Sequence, residues 1–266
     1  MSDINNELLK VQKEWIEAKL LTYMGGQGTD CDEHGRYKKS KEQEESLYLS
    51  CPFYMGVTDE YVKRTKSRRV MIIGQEARHY GTWKDNRNDF GYTPEESQQW
   101  AIEYLLCQLD TPKQNSRFNH KYNHSRFWST FRTLSDNDIN VCWNNIDKVY
   151  FSRGNIDYKG TLSYEGEEYL SAQYGSDNLS LLQREIKIST PDALLFVTGP
   201  KYYLSMAKAF DIAPDKFEER LNKDSKIVNI TDILHVGKPA FWTYHPANQL
   251  GINSAQEFLE AYKKCK

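Results

Sequence analysis

The sequence predicts a mixed α/β fold, a three-layer α/β/α sandwich around a mostly parallel four-stranded central sheet. Two continuous apolar runs, residues 69–74 and 193–199, are typical of strands buried on both faces of a parallel sheet, and each ends in glycine. Segments with helical spacing of apolar residues alternate with strand-like segments, as parallel βαβ units require. A chain of 266 residues is long enough to bury one large core of this kind.

The predicted helices are recognised by their apolar spacing and their caps. Residues 4–23 carry apolar side chains at helical spacing and end in a glycine-rich stop. The helix predicted over residues 94–109 follows Thr93, whose hydroxyl suits an N-cap, and has Glu95 and Glu96 in its first turn. Further helices are predicted near residues 58–66, 125–134, 179–188, 202–210, 216–221 and 254–263.

Four strand regions are predicted in chain order, and the last of them contains two strand-like segments, 226–230 and 240–244. The four regions are residues 69–74, 141–151, 193–198 and 226–244. Residues 152–178 have no regular period and are predicted to form a loop. We predict an N-terminal helix and exposed loop over residues 1–48, packed on or appended to an α/β domain over residues 49–266.

The charge distribution limits how the protein can bind nucleic acid. The net charge is −2, so the whole molecule does not attract DNA, and binding requires a local basic patch. Residues 62–69 hold five cations, and residues 117–126 hold three more. Each of these segments is either such a patch or a solvated face of the protein.

The cysteine pattern and the hydropathy predict a cytoplasmic protein without a metal or a cofactor. The five cysteines are scattered without a CxxC pair, which indicates a reducing compartment. Residues 31–34, Cys-Asp-Glu-His, resemble half of a zinc site, but no second half follows. The N-terminal residues lack the pattern of a signal peptide, and no apolar stretch reaches the roughly 18 residues of a membrane span.

Polar residues follow the first buried strand directly. Gln75, Glu76, Arg78 and His79 come immediately after Gly74, and glycine permits a sharp turn beside a ligand. Ligands of parallel α/β sheets bind beyond the carboxyl ends of the strands. The segment is therefore either part of a site at that edge or an ordinary helix cap or surface turn.

Two other strands place polar groups at the same predicted edge. Asn144 and Asn145 interrupt an apolar strand, and a buried amide must find hydrogen-bond partners, either in the backbone or in a ligand. His245 follows the last strand and precedes Pro246, which fixes the turn. A histidine at a strand end is either packed or capped, or it is a functional group, and the shared edge favours the second interpretation.

Residues 70–79 resemble the first motif of the uracil-DNA glycosylase superfamily, a strand running into Gly-Gln-Asp-Pro-Tyr-His. Residues 244–247 resemble its second motif, a strand running into His-Pro-Ser, and residues 125–128 look like the Asn-Arg-Phe-Trp helix start of the mismatch-specific branch. Asn144 or Asn145 falls where the superfamily often has a base-reading Asn. The resemblance covers roughly residues 50–262, including the apolar strand and glycine of residues 193–199, with the motifs in matching order.

The resemblance implies a DNA glycosylase-like protein that recognises a flipped uracil or a related base and hydrolyses its N-glycosidic bond. Glu76 would orient or activate water, and His245 would donate a hydrogen bond to the base carbonyl oxygen. The implied substrate-binding residues are Gly74, Gln75, Ala77, Arg78, His79, Phe90, Asn144 and Asn145, with Trp83 as another candidate for stacking on the base. The implied nucleic-acid contacts are Lys201, Asn248, Gln249 and Leu250. The partner is DNA or a free nucleobase or nucleotide, a protein partner is possible, and no membrane is involved.

Several residues depart from the pattern of the superfamily. Glu76 replaces Asp, Ala77 replaces Pro, Arg78 replaces Tyr, and Gln249 stands where a Leu inserts into the base stack. These departures favour an alternative, a catalytically inactive module of the same fold that binds a nucleobase, a nucleotide or nucleic acid. A third hypothesis, a metal-dependent hydrolase using Glu76, His79 and His245, lacks regular ligand spacing.

Overall fold

A computed structural model of the chain describes residues 2–26, 48–49, 52–76, 93–109, 124–149, 151–152, 164–221, 226–246 and 252–265. The helices in these ranges are α1 (Asp3–Trp15), α2 (Leu21–Gly26), α3 (Asp59–Lys63), α4 (Pro94–Gln108), α5 (Arg126–Asp136), α6 (Tyr164–Ser171), α7 (Leu181–Ser189), α8 (Tyr203–Ala209), α9 (Pro214–Arg220), α10 (Thr231–Leu234) and α11 (Ser254–Lys263). A π-helical stretch, Ile16–Leu20, joins α1 to α2, and a 3₁₀ turn, Pro200–Tyr202, precedes α8.

The strands are β1 (Tyr48–Leu49), β2 (Arg68–Glu76), β3 (Ile139–Asp147), β4 (Phe151–Ser152), β5 (Ala193–Phe196), β6 (Ile227–Asn229) and β7 (Ala240–Thr243). The main sheet has the order β3-β2-β5-β7-β6, and β1 pairs with β4 in a separate two-stranded antiparallel sheet. Strands β3, β2, β5 and β7 are parallel, whereas β6 runs antiparallel to β7. The predicted mixed α/β fold with a mostly parallel sheet is therefore confirmed.

The prediction of four strands in this sheet is wrong, because the sheet has five. The additional strand is β6, which lies at the edge. Only residues 230–239 connect it to β7, and a parallel crossover needs about a dozen residues or more. The short connection therefore returns the chain antiparallel to its neighbour.

Strand β2 shows why this sequence forms a sheet that is buried on both faces. Val70 and Ile72 pack in a core with residues of α5 and α11, while Met71 and Ile73 pack in a second core with residues of α7 and α8. All four side chains are fully buried. Because successive side chains of a strand point to opposite faces, an unbroken apolar run supplies both cores.

Local signals at helix ends behave as the sequence predicts. Thr93 caps α4: its hydroxyl accepts a hydrogen bond from the Glu96 N–H at 3.2 Å. The Glu96 carboxylate in turn accepts one from the Thr93 N–H at 3.0 Å. This reciprocal capping box satisfies two of the N–H groups that a helix start leaves unpaired.

The predicted loop over residues 152–178 is wrong in part, because it contains α6. The sequence of α6 has no clear apolar period, and tertiary packing holds the helix in place. Leu170 is buried in a cluster with Trp15, and the Trp15 indole N–H donates to the Leu170 carbonyl oxygen at 2.9 Å. Packing against another helix thus overrides a weak local signal.

Helix α1 packs on the α/β body through buried polar side chains. The Asn5 amide donates to the Val57 carbonyl oxygen at 3.0 Å and accepts from the Val57 N–H at 2.8 Å. Gln12 donates to Glu185 on α7 at 2.8 Å. The boundary at residue 48 stays a prediction, but these contacts show that the N-terminal helix is packed on the body.

Candidate functional site

The connections of the sheet predict a ligand crevice at the carboxyl ends of β2 and β5. From β2 the chain passes to β3 on one side, and it later returns to β5 on the other side of β2. Neighbouring connections that leave a parallel sheet in opposite directions open a crevice outside the carboxyl ends of its strands, where ligands of such folds bind. The segments that begin at Gly74 and at Val197 lie at this point.

Gly74 brings the backbone of β2 into close contact with two other elements. It is paired in register with Asn145 of β3. A Cβ atom added at Gly74 would lie 2.7 Å from Asn145 Oδ1 and 3.2 Å from two ring carbons of Phe127 on α5. Only glycine therefore fits here without displacing the backbone, the amide or the ring.

His245 joins the same group of residues from the end of β7. Its imidazole lies nearly parallel to the Phe127 ring, with the centroids 5.6 Å apart and the planes inclined by 14°. Phe127 thus contacts the positions of both predicted loops, the one after β2 and the one after β7. Strands β2, β5 and β7 are parallel, so the strand ends from which these loops leave lie at one edge of the sheet, as predicted, whereas residues 77–92 and 247–251 lie outside the described residues.

Gln75 links the carboxyl ends of β2 and β5. Its side-chain amide donates to the Thr198 carbonyl oxygen at 2.7 Å. The next residue, Gly199, has φ +71° and donates its N–H to the Thr243 carbonyl oxygen at 3.3 Å. A Cβ atom at Gly199 would lie 3.5 Å from the backbone nitrogen of His245. Gln75 and the turn at Gly199 therefore join the carboxyl ends of β2, β5 and β7 at the predicted crevice.

Asn144 has structural partners. Its amide nitrogen donates to Glu185 Oε2 at 2.9 Å, and its oxygen accepts from the backbone N–H of Asn145 and from the Lys148 ammonium. Lys148 also pairs with Glu185 Oε2 at 2.6 Å. Burial lowers the pKa of Lys148, against the opposing effect of Glu185. A buried ion pair is tolerated only when further hydrogen bonds satisfy its charged groups. Asn144 supplies such bonds to Lys148 and Glu185, so its role is structural.

Asn145 differs from Asn144 in both direction and partners. It points to the opposite face of β3, where its Oδ1 accepts a hydrogen bond from the Trp143 indole N–H at 3.1 Å. Its Nδ2 atom is buried and has no hydrogen-bond partner among the described residues. Buried donors without partners are rare and costly, so such an atom at the edge of a ligand crevice is a candidate binding group.

Two more of the predicted residues lie at this edge. Glu76 is the last residue of β2, and its backbone is paired in register with Asp147 of β3. Lys201 is exposed on the 3₁₀ turn that follows Gly199. The remaining predicted site residues lie outside the described residues: Ala77, Arg78, His79, Trp83, Phe90, Asn248, Gln249 and Leu250.

Sequence reasoning did not predict the contacts made by Phe127, Trp143 and Asp147. Phe127 stands in the Ser-Arg-Phe-Trp segment, but its neighbours Gly74 and His245 are distant in sequence. Trp143 stands two residues before Asn145, which is the spacing of side chains on one face of a strand. That spacing was the one local signal that could have identified Trp143. Asp147 is buried and accepts a hydrogen bond from the Ser171 hydroxyl at 3.3 Å.

The basic run of residues 62–69 lies at the opposite end of the sheet, around the start of β2. Arg64 pairs with Asp192 at 3.5 Å, and Lys66 donates to the Ser135 carbonyl oxygen at 2.5 Å. Arg69 donates to the Thr190 hydroxyl at 2.6 Å, and Arg68 lies 4.8 Å from the centre of the Tyr262 ring. These four cations therefore have protein partners and do not line the crevice.

A scan against protein-family models found no match, and searches of the curated proteins and of the solved structures found none either. No described helix is long and apolar enough to cross a membrane. Within the described ranges, no group of three or more His, Cys, Asp and Glu side chains is arranged to hold a metal ion. The Cys-Asp-Glu-His segment of residues 31–34 lies outside those ranges.

Proposed function

We propose that this protein is a DNA glycosylase-like protein that binds a flipped uracil or a related base in the crevice and hydrolyses its N-glycosidic bond. One observation carries the proposal: Gly74 and His245, from the ends of two parallel strands, both lie against the Phe127 ring, and Asn145 of a third parallel strand lies against Gly74. A close backbone, an amide donor and an imidazole are groups that can hold the edge of a planar heterocycle. We also propose the three-layer α/β/α architecture that the alternation of strands and helices in the sequence predicts.

In the proposed reaction, water adds to the sugar carbon while the bond between that carbon and the base nitrogen breaks. The electron pair of the bond leaves with the base, so negative charge develops on the ring and its carbonyl oxygen. His245 donates a hydrogen bond to that oxygen, Glu76 orients the water, and the proton that the water loses neutralises the released base. A donor that acts mainly in the transition state is worth roughly 3 kcal/mol, or about two to three decades in rate.

Binding of a DNA strand would rely on a few contacts near the crevice. Flipping a base out of a stack costs a few kcal/mol, which a single-stranded substrate largely avoids. Lys201 is exposed on the 3₁₀ turn after Gly199, and in this proposal its ammonium contacts a phosphate. Because the cations of residues 62–69 lie at the far end of the sheet, we propose single-stranded DNA as the preferred form.

A second candidate function is a catalytically inactive module that binds a nucleobase, a nucleotide or nucleic acid. The net charge of −2 and the distant position of Arg64, Lys66, Arg68 and Arg69 favour it, because a glycosylase must also hold the strand. The same crevice would then bind the base without cleaving its bond. The cytoplasmic location predicted from the sequence is compatible with both functions.

The test measures base release from oligonucleotides that contain uracil, hypoxanthine or a mismatch. We expect the wild-type protein to release one of these bases and His245→Ala to be slower by about two to three decades. The matched control is His235→Asn, at an exposed histidine with φ +52° beyond α10, a conformation that asparagine tolerates. Binding without release would support the inactive module. If the wild-type protein neither binds nor releases any of these bases, both functions are refuted.

A further inference from the structure

Trp143 and Asn145 form a hydrogen-bonded pair on one face of β3. The Trp143 Nε1–H group donates to Asn145 Oδ1 at 3.1 Å. An indole N–H is a donor only, so it can face the oxygen of the amide and not its NH₂ group. The chemistry of Trp143 thus decides the orientation of the Asn145 amide.

The second lone pair of Asn145 Oδ1 has little free space. The oxygen lies 2.7 Å from the place where a Cβ atom of Gly74 would stand, so it faces the backbone of β2. The indole occupies one direction around Oδ1, and β2 closes another. The group that Asn145 can offer to a ligand is therefore its NH₂.

That NH₂ group is buried without a partner. Asn145 is 2% exposed, and Nδ2 makes no hydrogen bond with the described residues. Leaving a buried donor unpaired costs about 1–3 kcal/mol, which an acceptor on a ligand would recover. Because Asn145 lies beside Gly74 at the predicted crevice, a ligand bound there would supply this acceptor.

The Trp143 ring is itself held in place by aromatic neighbours. Its centroid lies 4.6 Å from that of Phe53, 5.0 Å from that of Trp128 and 6.2 Å from that of Tyr104. Three rings from different parts of the chain thus restrict the indole. A restricted donor can hold a neighbouring amide in one orientation, as a support for a binding group requires.

We infer that Trp143 is a positioning residue that fixes Asn145 as a hydrogen-bond donor, so that the crevice selects a base with a carbonyl oxygen over one with an amino group. The inference rests on the proposed function. Thymine presents an acceptor oxygen at the relevant ring position, and uracil has the same oxygen, whereas cytosine presents an amino group there. An amino group would face the Asn145 NH₂ and leave two donors unpaired.

The experiment measures the dissociation constants of free uracil and free cytosine, which contain no glycosidic bond that could be cleaved. We expect the wild-type protein to bind uracil about tenfold more tightly than cytosine. In Trp143→Phe the amide is free to turn over, and we expect the preference to fall to about twofold. The matched control is Trp15→Phe, which removes another buried indole donor, bonded to the Leu170 carbonyl oxygen in a different cluster, and should retain the tenfold preference.

A second measurement does not depend on ligand binding. Hydrogen exchange of the Trp143 indole N–H should be slow in the wild-type protein and faster in Asn145→Leu, which removes the acceptor. A folded Trp143→Phe protein with an unchanged preference for uracil, or a rapidly exchanging indole in the wild-type protein, would overturn the inference. If Trp143→Phe does not fold, the exchange measurement decides. Failure of the wild-type protein to bind either base would instead refute the proposed function.

Discussion

The imidazole of His245 lies nearly parallel to the phenyl ring of Phe127, 5.6 Å away between centroids. Phe127 also abuts Gly74, so one side chain of α5 contacts residues from the ends of β2 and β7. A ring in this position can set both the orientation of the imidazole and the path of the β2 backbone. The arrangement makes Phe127 a support of the proposed site.

We expect Phe127→Leu to slow base release by about one to two decades, because a reactive group displaced by about 1 Å costs up to a hundredfold in rate. Phe127→Tyr, which keeps the ring, should retain most of the activity. Single-turnover release of the base measures both effects. Equal activity of Phe127→Leu and the wild-type protein would show that the ring does not position His245.

We expect Gly74→Ala to be destabilising and to abolish base binding. The added methyl group would lie 2.7 Å from Asn145 Oδ1 and 3.2 Å from the Phe127 ring. Overpacking of this kind typically costs about 1–3 kcal/mol, which urea denaturation measures. The control is Gly237→Asn, at a turn with φ +65° and no atom within 4 Å of the added Cβ. Comparable stability of Gly74→Ala and the wild-type protein would contradict the close approach.

Asn144 and Asn145 should respond in opposite ways to substitution by alanine. Asn144→Ala removes hydrogen bonds from the buried Lys148 and Glu185, so we expect a loss of about 2–3 kcal/mol of stability. Asn145→Ala removes a buried donor without a partner, but it also removes the acceptor of the Trp143 indole N–H. These two effects oppose each other, so we expect stability within about 1 kcal/mol of wild type and a loss of base binding. Denaturation curves and a binding titration separate the two. A stable Asn144→Ala protein that no longer binds a base would reverse the assignment.

Cys142 should make stability fall at alkaline pH. Burial raises the pKa of its thiol from 9.0 to about 12. Above pH 9 the unfolded chain therefore loses the proton while the folded protein keeps it, and the folded state is progressively disfavoured up to about pH 12. The stability difference between the wild-type protein and Cys142→Ala should shrink by about 1.4 kcal/mol per pH unit in that window. A difference that does not change between pH 8 and pH 10.5 would contradict the raised pKa.

The buried strands and the capped helices could be predicted because their signals are local. The unbroken apolar run of residues 70–73 predicts a strand that is buried on both faces. Thr93, directly before a helical segment, predicts an N-cap. The antiparallel direction of β6 depends on the length of its connection to β7, and α6 depends on its contact with Trp15. Features of that kind arise only from the assembled fold.

In the candidate site, too, some features could be predicted from the sequence and others depend on the assembled fold. The edge shared by Gly74 and His245 follows from the order of parallel strands, so the sequence could predict it. The choice between Asn144 and Asn145 depends on which face of β3 meets the buried pair Lys148 and Glu185. The alternation of side chains along a strand predicts that Asn144 and Asn145 point to opposite faces of β3. The residues that meet each face come from helices distant in sequence, so they could not be predicted.

We propose that a base with a carbonyl oxygen binds between Asn145 and His245, and a titration with uracil followed by NMR tests this binding most directly. We expect saturable shifts of the Asn145 side-chain NH₂ and the His245 ring resonances, and loss of both responses in Gly74→Ala. Shifts confined to residues away from the carboxyl edge of the sheet, or no shift at either side chain, would contradict it.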